Sequence, residues 1–99
     1  METHRRAIES RKTLEPLVIV SIAPPYPENL RKKKITGEAV IETVVTYEGV
    51  PTKLKLVTAT HEEFGKSALL AVGKMRFLPA LNEGEPVNSL IRVPVTFDP

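Results

Sequence analysis

Residues 37–57 read GEAVIETVVTYEGVPTKLKLV, and this stretch decides the fold. Before the turn, odd-numbered side chains form one largely apolar row, which is the pattern of a strand with one face toward a core. Glu48-Gly49 is a turn signal, and beyond it Leu54 and Leu56 alternate with lysines. The stretch therefore predicts an antiparallel hairpin of two strands.

A helical pattern follows this hairpin. Thr60-His61-Glu62-Glu63 fits a capping box, in which the threonine hydroxyl and the glutamate carboxylate accept hydrogen bonds from free amides at a helix start. Apolar side chains then recur at spacings of three and four, at Phe64, Ala68, Ala71, Val72 and Met75. This spacing predicts an amphipathic helix that packs on the sheet and runs to Pro79.

A third strand is predicted over residues 87–97, where apolar and polar side chains alternate again. Pro94 lies inside it and cannot donate to a ladder, so the strand belongs at an edge, with the proline nitrogen facing away from its neighbour. We therefore expect an α+β fold with a three-stranded antiparallel sheet in the order second, first, third, and one main helix on one face. The predicted core between helix and sheet comprises Phe64, Val72, Met75, Ile41, Val45, Leu56, Ile91 and Val95.

The front of the chain is rich in charge and proline. Residues 1–16 are predicted as a flexible or weakly helical lead, and residues 17–99 as the domain. Leu17-Val18-Ile19-Val20-Ser21-Ile22 is typical of a short strand bounded by prolines. It has no evident partner among the three main strands, so we expect it to pair with an edge of their sheet or with another copy of the chain in a homodimer. Residues 28–34 are predicted as a short helix.

Composition limits the chemistry of the chain. With 99 residues it is long enough for one hydrophobic core. It has no cysteine, which excludes disulfides, thiol nucleophiles and Cys-ligated metals. His61 has no second histidine at the spacing of a zinc motif, and no serine lies in a nucleophile motif. We expect no catalytic site, no metal and no cofactor.

The charge is uneven along the chain. Residues 1–34 hold eight Lys and Arg against four Asp and Glu, and Arg31-Lys32-Lys33-Lys34 is the densest run. Such a run could bind nucleic acid or lipid head groups. It has no interleaved aromatic residues and no recognition motif beside it. We therefore interpret it as a solvated helix face with at most a weak electrostatic role near a membrane, and we expect no nucleic-acid partner.

Four groups of residues follow one another in order between positions 24 and 97. They are Pro25-Tyr26-Pro27 before a short helix, Gly37 before a strand that ends at Glu48-Gly49, Phe64 with Ala71-Val72, Phe77 and Pro79, and finally Val93-Pro94-Val95-Thr96-Phe97. This ordered set resembles the C-terminal domain of TonB energy transducers. The fold implied by the resemblance agrees with the α+β architecture expected from the periodicity.

The resemblance also implies a function. Domains of this family are periplasmic and bind a short N-terminal segment of an outer-membrane transporter, which adds to the sheet edge as a strand. An inner-membrane proton-channel complex acts on that bond through a membrane anchor and a proline-rich linker, both missing here. We therefore expect an excised domain or a stand-alone relative. The alternative is a structural or adaptor domain of the cell envelope without transporter coupling, similar to that of TolA proteins.

Six residues are candidate contacts for the partner. Pro25, Tyr26 and Pro27 match the region that contacts the transporter in the family, although Tyr26 could equally be a hydrophobic peg for the front segment. The other three follow from the edge strand, in which alternate residues present their N–H and C=O groups to opposite sides. If Pro94 faces the free edge, so do Leu90, Arg92 and Thr96.

Overall fold

The computed structural model describes residues 12–99 and has an α+β fold. Its elements are β1 (Leu17–Val20), α1 (Glu28–Lys32), β2 (Gly37–Val45), β3 (Pro51–Ala59), α2 (Glu62–Gly73), β4 (Arg76–Leu78), β5 (Ala80–Asn82), β6 (Glu85–Val87) and β7 (Ser89–Phe97). The main antiparallel sheet has the order β3-β2-β7, which confirms the predicted order of second, first and third strand. Most of the predicted lead, residues 1–11, lies outside the described residues. Within residues 12–99, no helix has the length and apolar character needed to cross a membrane.

The central strand β2 is paired along both edges, and one of its faces supplies the floor of the core. Ala39, Ile41, Thr43 and Val45 point to that face and are completely buried. Thr43 is the polar member of the row, and its hydroxyl donates to Thr52 O on β3 at 2.7 Å. A buried hydroxyl that finds a carbonyl acceptor avoids the cost of an unsatisfied polar group.

The turn between β2 and β3 requires glycine at position 49. Gly49 has a φ of +83°, which side chains rarely adopt, and a Cβ built on it would lie 1.9 Å from Phe77 O. The close approach allows Phe77 N to donate to Gly49 O at 3.0 Å. The turn predicted from the sequence therefore also fixes β4 to the hairpin.

Helix α2 packs across β3 and β2 and reaches only the margin of β7. Gly65 lets it approach β3 closely, because a Cβ there would lie 2.6 Å from Leu56 Cδ2. The inward side chains of β7 receive less cover from the helix. They are consequently only half-buried, at Ile91, Val93 and Val95.

The core contains the residues predicted for it, with different degrees of burial. Five are buried, namely Phe64, Val72, Met75, Ile41 and Val45. Three are half-buried and pack against the same cluster, namely Leu56, Ile91 and Val95. The sequence reasoning missed Leu30, Phe77 and Phe97, which are buried in this cluster too.

The predicted capping box does not form. The N-cap of α2 is His61 rather than Thr60, and its side chain makes no capping hydrogen bond. Thr60 Oγ1 instead accepts from Glu38 N at 3.1 Å, because the chain still lies beside β2 at this point. Glu63 accepts hydrogen bonds from its own amide and from Asn29 Nδ2, and these bonds lower the pKa of its carboxyl.

The helix ends at Gly73, before the predicted limit at Pro79. Met75 and Phe77 continue the apolar spacing, but they are buried beyond the helix, and Phe77 lies in β4. β4 pairs antiparallel with β1. The prediction that the front strand pairs with an edge of the main sheet is therefore wrong, since β4 provides its partner in a separate two-stranded sheet.

A second hairpin leads into the edge strand. β5 and β6 pair antiparallel on either side of Glu83-Gly84, within the stretch predicted as a turn. Leu14 and Leu81 exchange two backbone hydrogen bonds of 2.9 Å, and Gly84 N donates to Lys12 O at 3.0 Å. Residues 12–15, which precede β1, therefore lie along β5. The strand predicted over residues 87–97 is divided at Asn88 into β6 and β7.

Candidate functional site

Strand β7 forms one edge of the main sheet, and its register directs a set of backbone donors outward. It pairs with β2 without interruption from Gly37↔Phe97 to Val45↔Ser89. Pro94 lies opposite Val40 and has no N–H, so this pair makes no backbone hydrogen bonds. Pairs with and without hydrogen bonds alternate in an antiparallel ladder. The N–H groups of Leu90, Arg92 and Thr96 therefore point away from β2, toward the edge where the described residues place no further strand.

The side chains of the same residues lie on the face of the sheet opposite α2. All are exposed, and Leu90 retains 65% of its accessible surface. Arg92 Nε lies 3.4 Å from Glu42 Oε2 on β2. Because the Arg92 side chain is 64% exposed, this ion pair contributes little to the stability of the fold.

The other edge of the sheet, β3, is irregular. Its pairing with β2 shifts register between Val40 and Ile41 and again between Glu42 and Val44. Lys53 has a φ of +50°, and both Lys53 and Lys55 are exposed. Bulges and lysines are common devices that prevent an edge strand from pairing with another chain. Of the two edges, β7 is the one suited to accept an added strand.

Tyr26 lies beside the C-terminal end of β7. Its ring meets the rings of Phe64 and Phe97 edge-on, at centroid distances of 5.6 and 5.8 Å. The hydroxyl donates to Ile35 O. Partial burial of the ring, together with the carboxylate of Asp98, raises the pKa of this hydroxyl. These contacts support the interpretation of Tyr26 as a peg that holds the front segment on the core.

The flanking prolines have different surroundings. Pro25 O accepts a hydrogen bond from the Ser67 hydroxyl on α2, while the Pro25 side chain stays exposed. Pro27 is the N-cap of α1, and its carbonyl accepts from Leu30 N and Arg31 N. The Pro25-Tyr26-Pro27 segment is thus held against the body near one end of β7.

The basic run Arg31-Lys32-Lys33-Lys34 begins within α1. It is exposed throughout, in agreement with its interpretation as a solvated face. Arg31 Nη2 lies 2.7 Å from Glu28 Oε1, one turn earlier. His61 is also exposed, and its ring packs edge-on against Phe64 at 5.5 Å. Across residues 12–99, no group of three or more His, Cys, Asp or Glu side chains could hold a metal ion.

A groove of about 380 Å³ lies at the N-terminal end of β7. Its walls come from residues 13–15, from β5 and from residues 87–89. The sequence reasoning missed this site. Residues 13–15 are far along the chain from the other two walls and share no motif with them, so only the pairing of Leu14 with Leu81 brings this wall to β5.

Comparison with known proteins identifies the family. Residues 22–99 match the family described as Gram-negative bacterial TonB protein C-terminal. The chain is 32% identical over 82 residues to the protein TonB of Vibrio cholerae serotype O1, an alignment that covers 82% of this chain and 34% of that protein. The chain therefore spans about a third of that relative's length.

The fold has a match among solved structures as well. It is similar to the solution NMR structure of the Pseudomonas aeruginosa TonB CTD, with a TM-score of 0.70 and 19% identity, over 86% of this chain and 87% of that chain. That likeness concerns the fold alone. Because the family match covers most of the chain and the Vibrio relative aligns with four-fifths of it, the chain belongs to the family of TonB protein C-terminal domains of Gram-negative bacteria.

Proposed function

We propose that this chain is the periplasmic, partner-binding domain of a TonB-like energy transducer. Its partner is the N-terminal segment of an outer-membrane transporter, which adds to β7 as a fourth strand. The observation that carries the proposal is the outer edge of β7, which no described residue pairs with and which is nine residues long and in unbroken register with β2. In a TonB protein, parts outside this domain would connect it to an inner-membrane proton-channel complex.

Backbone groups supply the first part of the binding energy. Leu90, Arg92 and Thr96 each offer an outward N–H, and their carbonyls face the same side. Each hydrogen bond contributes about 0.5 to 1.5 kcal/mol net, so the loss of one donor weakens binding by roughly three- to tenfold. Such bonds depend little on the partner's sequence, so they fix the position of the added strand more than its identity.

Side chains supply the second part. Ile91, Val93 and Val95 face the core side but remain half-buried, because α2 lies mainly over β3 and β2. An added strand would place alternate side chains next to this row and cover it. Apolar burial contributes about 25 cal/mol per Å², so the partner should carry apolar residues at alternate positions.

Pro25, Tyr26 and Pro27 form the proposed second contact. Tyr26 touches Phe97 at the end of β7, and Pro25 presents its side chain to solvent nearby. A partner segment that continues past Thr96 would meet these prolines. Because Tyr26 itself is packed on the core, we assign the contact mainly to the proline side chains.

The experiment compares two substitutions of one edge residue. Arg92→Pro removes the outward N–H and the side-chain charge, whereas Arg92→Ala removes the side chain and keeps the donor. In titrations with N-terminal peptides from outer-membrane transporters of the same organism, the proline variant should bind roughly three- to tenfold more weakly than the alanine variant. Circular dichroism and the melting temperature should stay close to those of the parent, since the strand register leaves this nitrogen without a partner among residues 12–99.

Val93→Pro is the structural control. Val93 N faces β2, so its loss leaves a carbonyl of the central strand without a donor and should destabilise the domain by about 1 to 3 kcal/mol. Equal peptide affinity of the two Arg92 variants would rule out strand addition at this edge. Unfolding of Arg92→Pro instead of Val93→Pro would mean that the two sides of β7 are assigned in reverse.

A further inference from the structure

We propose that the groove at the N-terminal end of β7 binds a lysine or arginine side chain of the partner, just beyond the residues that pair with Leu90. The idea depends on the proposed function, since it concerns the same partner strand. It adds a contact that selects among partners by charge. The backbone bonds of the edge cannot make that selection.

The groove continues the free edge. Ser89 lies in its wall, and Leu90, which has the first outward N–H of β7, follows directly. A strand advances about 3.3 Å per residue, so one or two partner residues past Leu90 reach the groove. The volume of about 380 Å³ lies within the usual range for small ligand sites and exceeds that of a single side chain.

The lining of the groove fits a long cationic side chain. Its apolar part is buried or half-buried and consists of Leu14, Ala80, Leu81 and Val87. Among the described residues that line it, Glu15 is the only charged one, and it is exposed. Lysine and arginine lay an alkyl stem on apolar surface while the charged head meets a carboxylate in water. An acidic partner residue at this place would face Glu15 with like charge.

The surrounding charges act in the same direction. Glu83, in the turn between β5 and β6, and Glu85, at the start of β6, are both exposed, and Gly84 N in this turn donates to Lys12 O. Within residues 12–99, these two carboxylates and that of Glu15 favour a cationic side chain at the groove, an attraction that weakens as salt is added.

A peptide series tests the groove. A transporter peptide that binds the domain is extended by lysine, norleucine or glutamate, at either end in turn, because the direction of the added strand decides which end reaches the groove. Norleucine keeps an apolar stem and lacks the charge. The proteins compared are the parent, Glu15→Gln and the control Glu62→Gln, which removes an exposed carboxylate on α2 that pairs with Lys66 at 3.6 Å.

At low salt the parent should bind the lysine peptide about two- to fivefold more tightly than the norleucine peptide, for one of the two ends, with glutamate weakest. Glu15→Gln should lose most of the preference for lysine over norleucine, and Glu62→Gln should behave as the parent. An undiminished lysine preference in Glu15→Gln, or no such preference in the parent, would overturn the groove and leave the edge intact, because the unextended peptide still binds. No binding by any peptide would overturn the edge and the groove together.

Discussion

Tyr26 joins the front segment to the core through its ring and its hydroxyl. Tyr26→Phe keeps the packing against Phe64 and Phe97 but removes the donor to Ile35 O. We expect a loss of about 0.5 to 1.5 kcal/mol in the free energy of unfolding at neutral pH, measured in urea. Peptide affinity should change little if the segment contacts its partner through Pro25 and Pro27.

The same substitution has a definite pH dependence. Burial raises the pKa of Tyr26 above its ordinary value of 10.0, so the folded domain holds this proton more tightly than the unfolded chain. The resulting stability is complete below pH about 10 and is lost as the pH rises through the folded-state pKa. The stability difference between parent and Tyr26→Phe should therefore narrow above pH about 10. A difference that stays constant from pH 7 to pH 11 would show that the hydroxyl is not held in this way.

At the scale of elements, helix α2 contributes most of its stability through the face that covers β2 and β3. Phe64→Ala should cost about 3 to 5 kcal/mol in the free energy of unfolding, because this ring is completely buried and stacks on Phe97 at 4.4 Å. Leu70→Ala is the matched control on the same helix, since Leu70 is 60% exposed, and it should cost less than about 1 kcal/mol. Similar losses for the two variants would mean that the helix is packed through another face.

The elements that could be predicted from the sequence are the long ones. β2, β3, α2 and β7 each extend over nine or more residues, so their periodicity is visible without any partner. β4, β5 and β6 have three residues each, too few to show a period, and they form because of partners elsewhere in the chain. The capping box failed for a related reason, since Thr60 is engaged by Glu38 on a neighbouring strand.

The candidate site likewise has one part that could be predicted from the sequence and another that could not. The outward N–H groups of β7 could be predicted from Pro94 alone. A proline lacks an N–H, so its position decides which residues of the strand direct their backbone groups to the edge. The groove could not be predicted, because one of its walls, residues 13–15, reaches β5 only through the pairing of Leu14 with Leu81. The packing of Tyr26 between Phe64 and Phe97 could not be predicted either. The flanking prolines are compatible with both interpretations of Tyr26, as a contact for the partner and as a peg for the front segment.

At the scale of the whole molecule, the domain is elongated, with extents of 50 × 23 × 16 Å. The front strand lies on β4 rather than on β7, so removal of residues 1–20 should leave the affinity for an unextended transporter peptide within about twofold. The melting temperature should fall, because Phe77 and Leu81, now 4% and 2% exposed, lose the cover of β1 and Leu14. Titration and thermal unfolding of the truncated chain check both points; tighter binding at unchanged stability would mean that the front segment shields the edge.

The alternation along β7 has a consequence for how such domains diverge. Odd-numbered residues bond to β2 and turn their side chains toward the core, whereas even-numbered residues direct their backbone groups to the open edge and their side chains to the face opposite α2. Packing therefore constrains Ile91, Val93 and Val95 more than their even-numbered neighbours. Leu90, Arg92 and Thr96 can change to any residue except proline without removing a backbone donor from the edge.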